Sequence, residues 1–133
     1  WHGGGGSGIA GAHQMLRALG VPFTQMPVCK SCPQLLAGSE FMDQMRTGRI
    51  AHKWVSYTNI VTRYENVVIP YTAGIQTGYP NMRNIVLQDV CPTDFSDHLQ
   101  IAASANAARL ALNALDPAHA KPVKCRLHLP ALG

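Results

Sequence analysis

A chain of 133 residues, 47% hydrophobic and 14% charged, has the length for one domain and the apolar content for a core, which excludes a compositionally disordered segment. Its net charge of +4 comes from 11 Lys and Arg set singly against 7 Asp and Glu, and bases without interleaved aromatics exclude a nucleic-acid surface. No apolar run approaches the ~18 residues of a membrane span, so no transmembrane segment is expected.

The chain opens Trp1-His2-Gly3, without an initiator Met, and Gly3 to Gly8 reads as a loop too flexible for an element. Such an opening suits a chain that begins partway through a longer protein. Ile9, Ala12, Met15, Leu16 and Leu19 have helical spacing, and Gly20 closes that helix. Residues 21–32, with Pro22 and Pro27, form a connector. Pro33 suits a first helical position, and Leu35, Leu36, Phe41, Met42 and Met45 carry a second helix to about Arg46 before Gly48.

The character then changes. Val55 to Val61 is β-branched and aromatic and reads as a strand. Val67-Val68-Ile69 follows a polar break and ends at Pro70. Asn84 to Gln88 reads as a second strand, after the turn-rich Gly78-Tyr79-Pro80-Asn81. The alanine-rich Ile101 to Leu115 predicts a helix terminated by Asp116-Pro117, and the tail from Ala118, with Pro122 and Pro130, should be irregular. Two strands make no independent sheet of ordinary size. The expected fold class is therefore α/β, with residues 1–133 as a single, incomplete domain.

Four cysteines fall into a close pair, Cys29 and Cys32, and a distant pair, Cys91 and Cys125. An even count in this pattern suits two disulfides in an oxidising compartment; the alternative is four reduced, buried thiols. Cys29-Lys30-Ser31-Cys32 has the spacing of a redox pair but no strand leading into it, so a structural bridge is the better reading. Two readings follow from the cysteines: a thiol–disulfide redox module using Cys29 and Cys32, and a small disulfide-held secreted binding domain.

The chemistry-bearing residues stand after the two strands. Glu65 follows the first, and it is the one carboxylate between residues 44 and 88. His98 follows the second. In open α/β sheets functional groups sit on loops leaving the carboxyl ends of strands, and acid followed by histidine is the order of an α/β-hydrolase triad. Asp89, Asp94 and Asp97 compete for the acid role, but all lie on the segment that delivers His98 itself. Asp97 adjoins His98, which makes a bond back to its ring awkward, and Asp89 reads as loop support. His2-Gly3-Gly4-Gly5 spells an oxyanion motif of some esterases but no elbow follows it. Ser7 lacks both the preceding strand and the final glycine of G-x-S-x-G, so no nucleophile is assigned within these residues. The histidines show no metal-ligand spacing.

Longer phrases add to this reading. Tyr57-Thr58-Asn59-Ile60-Val61-Thr62-Arg63-Tyr64-Glu65-Asn66-Val67-Val68-Ile69-Pro70-Tyr71 resembles the Y-T-N-x-x-T-x-Y-D-E-V-V-x-P-Y phrase of actinobacterial secreted lipases. Val86-Leu87-Gln88-Asp89-Val90-Cys91-Pro92 and Asp97-His98-Leu99 resemble their V-Q-D-x-C-P and E/D-H-L phrases. Leu112 to Ala120 resembles the closing phrase, Leu36 to Phe41 also fits, and His2-Gly3 resembles the stretch after the nucleophile strand. The phrases keep their order over nearly the whole chain.

The resemblance implies the C-terminal part of an α/β-hydrolase fold and hydrolysis of carboxylic esters, commonly acylglycerols. It implies no cofactor, with secretion directed by an upstream signal and the serine also upstream. Transient contact with a lipid interface would accompany such a substrate. By position, His98 becomes the general base and Glu65 the acid, although the family writes Asp where this chain has Glu65. Cys91 with Cys125 and Cys29 with Cys32 match the family's disulfides.

Overall fold

The computed structural model describes residues 34, 39–47 and 51–130. In chain order these form helix α1 (Glu40–Thr47), strands β1 (Tyr57–Val61) and β2 (Met82–Val86), a single helical turn α2 (Leu87–Val90) and helix α3 (Ala105–Leu115). Three 3-10 turns, Tyr71–Gly74, Gln100–Ala103 and Pro117–His119, lie between and after them. The expected helix from Ile9 to Leu19, the glycine run, and Cys29 and Cys32 lie outside the described residues, as do Pro33, Leu35 and Leu36 of the second expected helix.

The two strands pair in parallel, from Tyr57 opposite Met82 to Val61 opposite Val86, so the architecture is a small mixed α/β one. A parallel pair needs a crossover long enough to return the chain to the starting end, and residues 62–81 supply it with only one 3-10 turn. Successive side chains point to opposite faces. Ile60 and Ile85, opposite one another, therefore share a face and meet α3 through Ala107 and Leu110, which stand one helical turn apart. Leu87, Ile101 and Val123 complete this cluster. Burial of each large aliphatic side chain there contributes about 1.5–3 kcal/mol.

Asn59 and Asn84 occupy the other face, joined at 3.0 Å. The segment after the Tyr71–Gly74 turn lies against them: the Asn84 amide accepts from the Gln76 N–H (3.0 Å) and donates to its carbonyl (2.7 Å). At Gly74 a Cβ would stand 2.9 Å from Val61 Cγ1, so this close approach requires glycine.

Element boundaries differ from expectation where side chains take over backbone partners. β1 begins at Tyr57, not Val55, because the Val55 carbonyl is bound by Asn81 Nδ2 (2.6 Å) and its N–H closes a turn onto His52 (3.1 Å). β2 begins at Met82 and ends at Val86; Leu87 and Gln88, expected in the strand, curl into α2. That turn buries Leu87 in the apolar cluster and sends the Gln88 amide into a polar one. The expected helix from Ile101 is broken at Ser104, whose hydroxyl accepts from the Asn106 and Ala107 N–H groups and caps α3 (both 3.2 Å). In α1, Ser39 Oγ accepts from the Met42 N–H (3.2 Å), and Glu40 and Asp43 place negative charge in the first turn.

The tail is irregular after Pro117–His119, yet it is tied down. Asn113 and Asn106, two turns apart on α3, each grip one tail residue by both its N–H and its C=O, Lys121 and Arg126 respectively. The Cys91–Cys125 disulfide closes a separation of 34 residues. Beyond it the His128 carbonyl accepts from the Phe95 N–H (2.8 Å), and the His128 N–H donates to Thr93 (3.3 Å). Among the described residues no helix is long and apolar enough to cross a membrane.

Candidate functional site

Glu65 stands in the loop that leaves the carboxyl end of β1. Its Oε1 accepts from the N–H groups of Val67 (2.8 Å) and Val68 (3.0 Å), so the loop folds back over its own carboxylate and fixes it. His98 arrives from the loop after β2 and α2. Asp97 Oδ1 accepts from the Leu99 and Gln100 N–H groups (3.0 and 2.9 Å), which starts the Gln100–Ala103 turn and uses that carboxylate locally.

The structure brings the two residues together. His98 Nδ1 lies 2.8 Å from Oε2 of Glu65 and 2.8 Å from Oε1. The Glu65 side chain is only 14% exposed, that of His98 38%. Burial pushes the Glu65 carboxyl up, but the Val68 N–H, the His98 ring and the Val67 N–H outweigh it and hold the group below the ordinary carboxylate range. An ionised carboxylate only accepts, so the proton of a neutral His98 belongs on Nδ1. Nε2 is then the basic nitrogen, and it has no hydrogen-bond partner among the described residues. The pair is a histidine held in one tautomer by a fixed anion, on a side chain that is partly exposed.

The competing acids are used elsewhere. Asp89 pairs with the Arg63 guanidinium, both of them more than half exposed. Asp94 is fully buried, and its hydrogen bonds go to Ser96, Ser104 and Asn106 rather than to His98. A second histidine–carboxylate pair, His119 Nδ1 with Asp116 (2.9 Å), is made within one turn and is 81% and 60% exposed, so nothing sets its geometry apart from solvent.

Two further contacts join the Glu65 and His98 loops. The rings of Tyr64 and Phe95 are 5.5 Å apart. Thr62 Oγ1 donates to the Ser96 carbonyl (2.6 Å) and accepts from Gln88 Nε2 (2.9 Å). Sequence reasoning assigned no role to Thr62, Gln88, Ser96, Ser104 or Asn106. The spacing Asp94-Phe95-Ser96, in which a carboxylate accepts from the N–H two residues on, was the one local signal available.

Among the described residues no group of three or more His, Cys, Asp and Glu suits a metal ion. His2, Ser7, His13, Cys29 and Cys32 lie outside the described residues. No family model matches the chain, and no curated protein sequence matches it.

Proposed function

We propose that this chain carries the acid and the general base of a Ser–His–acid triad in a secreted carboxylic ester hydrolase acting on lipid-like esters, on an α/β-hydrolase fold. The observation that carries this reading is the Glu65–His98 pair, built from loops at the carboxyl ends of two neighbouring parallel strands, in the order acid then histidine. The serine is supplied from N-terminal to these residues.

In this reading His98 Nε2 takes the serine proton as Oγ attacks the ester carbonyl, and returns it to the departing alcohol. The acyl-enzyme is then hydrolysed by water that His98 deprotonates in the same way. Glu65 stays ionised throughout, holding the ring in its Nδ1–H form and opposing the positive charge that forms on it. Its depressed carboxyl pKa and its two backbone donors favour that state. The longer arm of Glu, compared with Asp, is accommodated because the Val67 and Val68 N–H groups hold it bent back. No cofactor is required. The Cys91–Cys125 bridge supports an oxidising compartment.

The test is ester hydrolysis by the full-length protein. Turnover that is stopped by a serine-directed phosphonate and lost in His98→Ala is the expected result; unimpaired turnover in His98→Ala overturns the reading. The same disulfide also favours a second reading, a small disulfide-held binding domain. Under that reading neither the phosphonate nor His98→Ala has any effect, because no ester is turned over at all.

A further inference from the structure

Glu65 and His98 are 33 residues apart, so no local turn sets the distance between them. What sets it lies just behind. Thr62, three residues before Glu65, donates to the carbonyl of Ser96, two residues before His98 (2.6 Å). The Gln88 amide ties the same two segments: Oε1 accepts from the Arg63 N–H (2.8 Å), and Nε2 donates to both Thr62 Oγ1 (2.9 Å) and the Asp94 carbonyl (2.8 Å). Ser96 is held in turn by Asp94, whose Oδ1 accepts from its N–H (3.0 Å) and from its hydroxyl.

The identity of residue 94 is dictated by its neighbours. All four groups around its carboxyl are donors: the Ser96 N–H, the Ser96 hydroxyl, the Ser104 hydroxyl and Asn106 Nδ2. Ser104 Oγ already accepts from two N–H groups of α3, which leaves its proton for Asp94. Asn106 Oδ1 is taken by the Arg126 N–H (2.9 Å), which fixes which end of that amide faces Asp94. Only a carboxylate accepts on both oxygens; an asparagine would turn its NH2 against two donors. A fully buried anion with no cationic partner among the described residues is expensive unless it is satisfied in this way. The anion therefore links α3 and the tail to the segment that presents His98.

Resting on the triad reading above, we propose that Asp94 is a positioning residue: its buried carboxylate holds Ser96, Ser96 holds Thr62, and this brings His98 to hydrogen-bond distance of Glu65. Asp94 touches neither substrate nor the reacting atoms. Removing it leaves both triad residues present but loosens their separation, and a misplacement of about 1 Å lowers turnover by about 10²-fold.

The experiment compares Asp94→Asn and Ser96→Ala with wild type in the full-length protein. It reads the downfield Nδ1 proton of His98 by NMR, together with kcat and KM for a p-nitrophenyl ester. Wild type is expected to show that proton, and Glu65→Gln to lose it. In Asp94→Asn the signal should broaden or move upfield, with kcat down by about 10²-fold and KM little changed. A wild-type signal and wild-type kcat in Asp94→Asn, with only the melting temperature lowered, make Asp94 a scaffold residue and overturn the inference. Should Asp94→Asn fail to fold, Ser96→Ala decides by the same two readouts, since it leaves the other three donors on the carboxylate. A wild-type protein with no Glu65-dependent proton and no phosphonate-sensitive turnover defeats the triad reading instead.

Discussion

The Glu65 carboxylate is held by three partners of two kinds. The Val67 and Val68 N–H groups fix its place, and the His98 ring gives that place a use. Changes at this pair should therefore be graded. On the proposed triad, His98→Ala in the full-length protein is expected to lower kcat by about 10⁴-fold or more. Glu65→Gln should cost several orders of magnitude, because the amide no longer selects the Nδ1–H tautomer. Glu65→Asp should retain more activity, since the anion survives while its reach shortens. Asp89→Asn should be close to silent, because Asp89 serves an exposed pair with Arg63. Steady-state kinetics on the four variants side by side check this; a crippled Asp89→Asn beside a near-normal Glu65→Gln would transfer the acid role to Asp89.

Helix α3 organises the elements around the site, one face toward the sheet and two asparagines toward the tail. Asn106 is buried, and its side chain makes three bonds, one to Asp94 and two to the Arg126 backbone. Asn113 repeats only the two-bond grip, on Lys121, through bonds exposed to solvent. Asn106→Ala should therefore destabilise by about 2–4 kcal/mol, as buried partners left unpaired do, and Asn113→Ala by under about 1 kcal/mol. Urea unfolding of the two variants measures the contrast, and equal losses would contradict it. The disulfide acts on the same tail. Cys91→Ser is expected to lower stability by about 2–5 kcal/mol. It should also speed hydrogen exchange at the Phe95 amide, which depends on the His128 carbonyl. Unchanged exchange there would mean that the tail stays on the His98 loop without the bridge.

At the scale of the whole fold, acid should act through the Glu65 and Asp94 carboxylates among the described residues. Burial pushes the Asp94 carboxyl up, but the Ser104 and Ser96 hydroxyls, the Ser96 N–H and the Asn106 amide outweigh it and hold the group low, as the donors of Glu65 do there. A carboxyl held low in the folded state binds fewer protons than in the unfolded chain. Its stabilisation is thus complete above the unfolded value of about 4, and is lost as pH falls through the lower folded value. Their contribution to the melting temperature should be constant above about pH 5 and fall below about pH 4, giving a shallower acid limb in Asp94→Asn. Thermal unfolding followed by circular dichroism across that range checks it, and a wild-type curve flat down to pH 3 would contradict it. Much of this molecule was legible in local chemistry. β-Branched runs announced the two strands, alanine and leucine spacing announced α3, and two carboxylate- and histidine-bearing loops were placed after the right elements. The start of β1 at Tyr57, the curling of Leu87 and Gln88 out of β2, and the break at Ser104 were not legible. Each involves a partner outside its own element: Asn81 for Val55, Thr62 and Asp94 for Gln88, and Asp94 for Ser104, beside the cap Ser104 makes on α3. Propensity weighs a residue against its near neighbours, whereas a buried polar group is decided by whichever donor or acceptor the fold delivers to it. For that reason Glu65 and His98 could be named from the sequence, but the 2.8 Å between them and the buried anion behind them came from tertiary contacts alone.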